Sequence, residues 1–270
     1  LTDKLVIITA DDFGLSQQVN NAVERAHTEG VLTAASIMVG EKYAKDAARR
    51  ARTLPNLGVG LHIALTRGTP VLPAAQIPGL VDSRGQFKSN LVKAGIGFFF
   101  MAPIRRQMQA EIRAQFEAFA ELGLTLDHVN THNHMHMHPT VLDMILNIGQ
   151  DFALSAVRLP DFTNAPVYLK PWIRRIKQKL RLKKIRHNDI LLGFNETGRI
   201  HAQTLSGFIN NLPAGVTEIM THPATGPWPG LDPQASDFNF DQELAALVHP
   251  DVKADLAHSN ARAIRFGDLP

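Results

Sequence analysis

Residues 127–139, reading D-H-V-N-T-H-N-H-M-H-M-H-P, hold five of the chain's twelve histidines: His128, His132, His134, His136 and His138. From 132 to 138 an imidazole recurs at every second residue, with Met135 and Met137 between. In an extended strand that period puts four rings on one face, whereas in a helix only His132/His136 and His134/His138 align. Neutral imidazole is the commonest metal ligand near neutral pH, so either geometry predicts a metal site. A tetrahedral ion takes about four ligands and a catalytic one leaves a position to water, so the surplus histidines orient ligands or touch substrate.

Three further places put a polar residue at the end of an apolar run. Residues 5–10 (L-V-I-I-T-A) read as a strand buried on both faces and lead into Asp11 and Asp12. Residues 57–65 (L-G-V-G-L-H-I-A-L) carry His62, and the strand at 216–221 leads into His222 of M-T-H-P. The ends of strands are where α/β folds keep their chemistry. One carboxylate and two imidazoles, as in Asp12, His62 and His132, can hold a divalent ion, acidify a bound water to a pKa of about 7 and polarise a carbonyl. Asp11 would then be the general base and His222 would protonate the leaving group, which amounts to metal-assisted hydrolysis of an amide or ester. Arg158 lies inside a short strand at 156–160 (A-V-R-L-P) and is read as facing the site and holding a carboxylate in place, because arginine is seldom buried unless paired. Arg158, His134 and His136 are additional candidates for ligation or substrate contact.

The elements needed to gather these residues follow from periodicity. Ser16 offers an N-cap to a helix with Val19, Val23 and Ala26 on its apolar stripe. Strands are expected at 32–39, 124–131, 190–194 and 263–266, and helices at 43–54, 139–149, 202–212 and 240–256. Residues 66–101 lack periodicity and contain Pro70, Pro73, Pro78, Gly79 and Gly85, so they read as a long functional loop. Phe98, Phe99 and Phe100 near its end suit a lipid-facing or substrate-lining role. Pro103 then opens a helix with Ile104, Met108, Ile112, Phe116 and Phe119 on one side, which is plain core packing. Counting about seven to eight strands alternating with helices predicts an α/β chain folded as a TIM-like (β/α) barrel. No linker or internal repeat interrupts it, so residues 1–270 read as one domain.

Composition narrows the function. With 44% hydrophobic and 20% charged residues the chain is an ordinary globular one. Having no cysteine, it can offer a metal only His, Asp, Glu or water, which fits the cytoplasm. No apolar run of 18 residues appears and no signal peptide is visible. Nine of the 28 Lys and Arg residues fall between 170 and 186 with no acid among them. The helix expected there, at about 171–186, is amphipathic and cationic, suited to the surface of an anionic membrane. No nucleic-acid motif accompanies it.

Four motifs, T-A-D-D-F-G-L-S at 9–16, G-V-G-L-H at 58–62, D-H-V-N-T-H-N-H-M-H at 127–136 and T-H-P at 221–223, resemble those of the YdjC-type carbohydrate deacetylases. The resemblance implies a deformed (β/α) barrel, one divalent ion and removal of acetyl groups from N-acetylated sugars. By matching motif it implies Asp11 as base, Asp12, His62 and His132 as metal ligands, and His222 as acid. Two departures stand out: Asn130 where the family more often has aspartate, and Asn133 where histidines more often run on. They leave open which of His132, His134 and His136 binds the ion. Zinc is favoured by imidazole ligands, with magnesium, cobalt or nickel as alternatives. More narrowly, G-V-L-T-A-A-S-I-M-V at 30–39, the phenylalanine triplet and V-R-L-P look like the hopanoid-biosynthesis-associated members. That likeness implies an N-acetylglucosaminyl group on a hopanoid-type lipid as substrate. Independently of it, the aromatic loop and the cationic helix of this chain suit a substrate with an apolar tail and contact with the inner face of a membrane. A homo-oligomer is left open.

Overall fold

The computed structural model describes residues 3–90, 101–162 and 164–270, and its central element is the first strand, β1 (Lys4–Phe13). The other strands are β2 (Ala34–Ile37), β3 (Gly58–Ile63), β4 (Val129–Thr131), β5 (Ile190–Leu192), β6 (Gly215–Thr221) and β7 (Ala261–Ala263). All pair in parallel, in the order β4-β3-β2-β1-β6-β5. β7 lies against residues 4–6 of β1, below the stretch where β2 pairs. Isolated parallel bridges, Val129↔Val157 and Phe162↔Leu191, carry residues 157–162 from β4 across to β5. The sheet therefore curls into a deformed barrel of seven strands. Residues 156–160, expected as a strand, contribute only single bridges; Pro160 lacks the N–H that a ladder needs.

Alternation along β1 divides the molecule into an inside and an outside. Val6, Ile8 and Ala10 pack into the large cluster beneath the helices, with Val19, Val23 and Ala26 of α1 (Gln17–Thr28). Leu5 and Ile7 point the other way, into a small plug with Ala34, Ala156, Val216, Ile264 and Phe266. Continuing at the same two-residue period, Thr9 and Asp11 share that inner face above the plug. The interior thus grades from apolar at the strands' N-terminal ends to polar at their C-terminal ends. Gly60 belongs to this inner face, and a Cβ there would fall 2.6 Å from the His128 ring. That ring is buried, takes Asp127 Oδ2 at Nδ1 (3.0 Å) and stacks on Phe266 at 4.3 Å. His128 therefore sits by the plug, below the mouth.

The remaining helices are α2 (Ala44–Ala51), α3 (Ala102–Glu121), α4 (Pro139–Ile148), α5 (Lys170–Leu182), α6 (Ala202–Asn210), α7 (Phe240–Val248) and α8 (Pro250–His258). Ser16 caps α1 by accepting from the Val19 N–H at 3.1 Å. The single helix expected over 240–256 is two, because Pro250 cannot donate an N–H and its ring crowds the preceding turn. His249 caps the second of them through Nδ1. Residues 66–90 form turns with one antiparallel bridge, Val81↔Phe87, as a long loop should. Helix α3 fastens this loop: buried Glu111 accepts from the N–H groups of Val71 (2.9 Å) and Leu72 (3.0 Å), while Gln115 pairs with both backbone groups of Ala64. Phe98, Phe99 and Phe100 lie outside the described residues. No helix among the described residues is long and apolar enough to cross a membrane.

Candidate metal centre

In a regular strand Asp11 and Asp12 would face opposite sides of the sheet. A register shift between Ala10 and Phe13 and a left-handed backbone at Asp12 (φ 64) break the alternation. Both carboxylates consequently enter the mouth, Asp11 deep and Asp12 toward solvent, with side chains 3% and 14% exposed.

Asp11 is held by four donor contacts. Arg158 donates through Nη1 to Oδ2 at 2.6 Å and through Nη2 to Oδ1 at 2.9 Å, Ser36 Oγ donates to Oδ1 at 3.0 Å and Asn130 Nδ2 to Oδ1 at 2.9 Å. Burial works against the charge, but the Arg158 guanidinium, together with His62, keeps the Asp11 carboxyl well below the usual carboxylate range. Arg158 is fully buried, and its Nε and Nη2 also donate to Glu218 Oε1 at 2.9 and 2.7 Å. Thr9 Oγ1 donates to that same oxygen at 2.9 Å. The guanidinium thus bridges two carboxylates and is committed to them rather than free to meet a substrate.

The same contacts fix the tautomer of His62. Because a carboxylate only accepts, Asn130 must turn its NH2 toward Asp11 and its carbonyl toward His62 Nδ1, 2.7 Å away. In the neutral ring, the form that can bind a metal, His62 Nδ1 therefore carries the proton and Nε2 presents its lone pair to the mouth. There Nε2 lies 3.2 Å from Asp12 Oδ1 and 3.4 Å from His132 Nδ1, while His132 Nδ1 lies 3.2 Å from Asp12 Oδ1. Ligand atoms held tetrahedrally at zinc-like bond lengths stand roughly 3.4 Å apart, so this near-equilateral triangle has the edge length of one face of such a site. Among the described residues Asp12, His62 and His132 form the one group of three His, Cys, Asp or Glu side chains with converging ligand atoms.

Charge makes the same point. With the imidazoles neutral, Asp11, Asp12 and Glu218 exceed the guanidinium of Arg158 by two negative charges, which a divalent cation would balance. Burial opposes ionisation of Asp12, yet His132 and His62 beside it hold its carboxyl well below the usual range. Burial likewise opposes a charge on His62, and Asp11 and Asp12 outweigh it, raising the ring above the usual imidazole value.

The other histidines of the cluster go elsewhere. Strand β4 ends at Thr131, and residues His132–Met137 form a tight turn broken by two left-handed residues, Asn133 (φ 54) and His134 (φ 50). The segment is neither of the two regular geometries expected. His134 packs on Phe194 with ring centroids 4.9 Å apart, and its buried Nδ1 has no protein partner. His136 is fully buried with Nδ1 against Thr131 Oγ1 at 2.6 Å; burial, then the Arg158 charge, lower its pKa to about 3. His138 caps α4, accepting from the Thr140 N–H. His222 follows β6; its backbone N–H donates to buried Glu243 Oε2 at 2.6 Å, and its buried Nδ1 is left unpartnered beside Phe238. It is close enough for its charge to act on Asp11.

Sequence reasoning did not single out Ser36, Glu218 or Glu243 as functional and met Asn130 only as a departure within the 127–136 motif. Ser36 and Glu218 are polar interruptions of apolar strands, a signal of burial that does not say which group they serve.

The model of the YdjC-like protein family matches residues 5–258. The chain belongs to the YdjC-like family. A carbohydrate deacetylase of Brevibacillus brevis is 32% identical over 98% of this chain and 99% of its own length. One from Geobacillus stearothermophilus is 32% identical, with 97% of each covered. Among solved structures, an Enterococcus faecalis V583 protein named for a proposed cellobiose-phosphate cleavage aligns over 98% of both chains with a TM-score of 0.76 at 23% identity. The YdjC-like chain therefore shares that protein's fold.

Proposed function

We propose that this chain is a metal-dependent deacetylase that removes the acetyl group from an N-acetylated amino sugar. The observation carrying this reading is the 3.2, 3.2 and 3.4 Å triangle of Asp12 Oδ1, His62 Nε2 and His132 Nδ1. The carbohydrate deacetylases among its relatives supply the reaction class. Asp12, His62 and His132 would hold the ion, and an oxygen with two imidazole nitrogens suits zinc, with cobalt, nickel or magnesium as alternatives. Such an ion acidifies water and polarises an amide carbonyl.

The chain's own groups do the rest. Asp11, ionised and aimed by Arg158, Ser36 and Asn130, takes a proton from the attacking water as its oxygen bonds to the acetyl carbon. The carbon–nitrogen bond then breaks, and the His222 imidazole delivers a proton to the departing amine. Acetate and the free amino sugar leave. His134 would meet a polar group of the substrate in this reading, which its buried Nδ1 without a protein partner supports. Residues 1–270 act as a single domain in this reading. The finer substrate is an N-acetylglucosaminyl group carried on a hopanoid-type lipid, supported by the motif likeness at 30–39. A store of several ions in the histidine array is disfavoured, since His134, His136 and His138 turn to Phe194, Thr131 and Thr140.

The test is acetate release from N-acetylglucosamine conjugates with and without a lipid tail. Chelation should abolish release and zinc should restore it. Asp11→Asn should lower turnover at least a hundredfold, by about 3 kcal/mol in the barrier, while still binding metal. Undiminished acetate release from Asp11→Asn, or from the metal-stripped protein, would overturn the assignment.

A further inference from the structure

Helix α5 carries cations on two flanks that are treated differently. Ile173, Ile176 and Leu180 form its buried stripe. Near that stripe, Lys177 pairs with Asp189 at 2.9 Å and Lys179 with Asp143 at 2.6 Å. At 3.6 residues per turn, Arg174, Arg175, Gln178 and Arg181 fall on the opposite side, and all four are exposed. The three arginines make no ion pair among the described residues.

Exposed apolar side chains gather at the two ends of the same helix. The large hydrophobics exposed among the described residues are Met101, Val167, Tyr168 and Leu182; the last three stand 77–79% exposed. Val167 and Tyr168 immediately precede α5, and Leu182 is its last residue, on the arginine side. An outward cationic helix with an apolar anchor at each end, about 20 Å apart along the axis, is the pattern of an element that lies in a lipid headgroup layer. A nucleic-acid backbone would engage the arginines but has no use for Val167, Tyr168 and Leu182.

The surface is also tied to the mouth of the barrel. Trp172 Nε1 in the first turn of α5 donates to the Met137 carbonyl at 2.8 Å, at the end of the turn that begins with His132. At the same end a cavity of about 350 Å³ is lined by Lys170, Arg174 and Lys177, with one acid, Asp161, and with Phe162 and Ile173. Phe162 stacks on Phe194 at 4.1 Å, and Phe194 meets His134. A continuous line of packed rings therefore runs from the basic face to the catalytic turn.

We infer that the α5 face, with Val167, Tyr168 and Leu182 as anchors and Lys170, Arg174, Arg175 and Arg181 as the charged strip, docks the protein on a bilayer of anionic lipid. The docking surface stands on its own observations; only its use, presenting a lipid-borne sugar to the site, rests on the deacetylase reading.

Co-sedimentation of the whole protein with vesicles of phosphatidylcholine, alone or mixed with phosphatidylglycerol, tests this without any substrate. Binding to the anionic vesicles should be at least tenfold tighter than to the neutral ones and should weaken as salt is raised. Arg174→Glu with Arg181→Glu should lower it tenfold or more, and Tyr168→Ser severalfold, while both variants release acetate from a soluble N-acetylglucosamine conjugate at the unaltered rate. Equal binding to both vesicle types, undiminished binding of the double variant, or tighter binding to a DNA duplex than to anionic vesicles would overturn the inference. Acetate release is read separately, so failure of the deacetylase reading leaves a distinct result.

Discussion

Arg158 and the imidazoles around it show how the site's charges are set one residue at a time. Removing Arg158 would strand Asp11 and Glu218 together in a dry interior, and breaking a buried pair of this kind costs about 3–5 kcal/mol. His136 is the counterpart: it is buried neutral, with its pKa lowered to about 3 by burial and then by Arg158. In the unfolded chain the same ring titrates near 6.5, so below that pH the unfolded state binds a proton that the native state refuses, and stability falls as pH falls. Between pH 6 and 4 the unfolding free energy of the natural chain should drop faster than that of His136→Gln, by up to about 1.4 kcal/mol per pH unit. Urea unfolding midpoints across that range check it, and parallel slopes would contradict it.

Two departures from regular backbone bring the candidate ligands together. The left-handed Asp12 turns the second carboxylate into the mouth, and the left-handed pair Asn133 and His134 releases the histidine segment from the strand direction so that His132 alone reaches the triangle. Asparagine tolerates this backbone and a β-branched residue does not. Asn133→Gly should therefore keep stability within a few tenths of a kcal/mol, and Asn133→Val should lose about 1–2 kcal/mol. Thermal unfolding compares them, and metal affinity should fall in the valine variant alone; an unchanged valine variant would contradict the account. Asp11 and His222 were legible because each follows an apolar run, and His62 because it interrupts one near its end. The histidine turn was not legible, since a two-residue period of one side chain fits a strand and, in part, a helix, and nothing in it announces φ above zero. The break at Pro250 was readable in principle, but the apolar stripe continued across it.

At the scale of the whole molecule, the curled sheet sorts its inner face into an apolar plug, an Arg158 layer and an open polar mouth. The barrel could be expected from alternating strands and helices, and the likeness of four motifs told which strand ends meet. What stayed hidden was the supporting layer, Glu218 behind Arg158 and Glu243 beneath His222, because each is joined to the site only by a fold that brings together residues 20 to 150 positions apart. That layer spends one cation on two carboxylates and leaves the mouth with an unbalanced pair of negative charges. A bound divalent ion should stabilise the folded chain, by about 2.7 kcal/mol at a hundred times its dissociation constant. The direct measurement is a calorimetric titration of chelator-stripped protein with zinc, on the natural chain and on Asp12→Ala. One ion per chain in the first and at least a hundredfold weaker binding in the second is the expected result; no binding, several ions per chain, or equal binding by the variant would contradict a centre built on Asp12, His62 and His132.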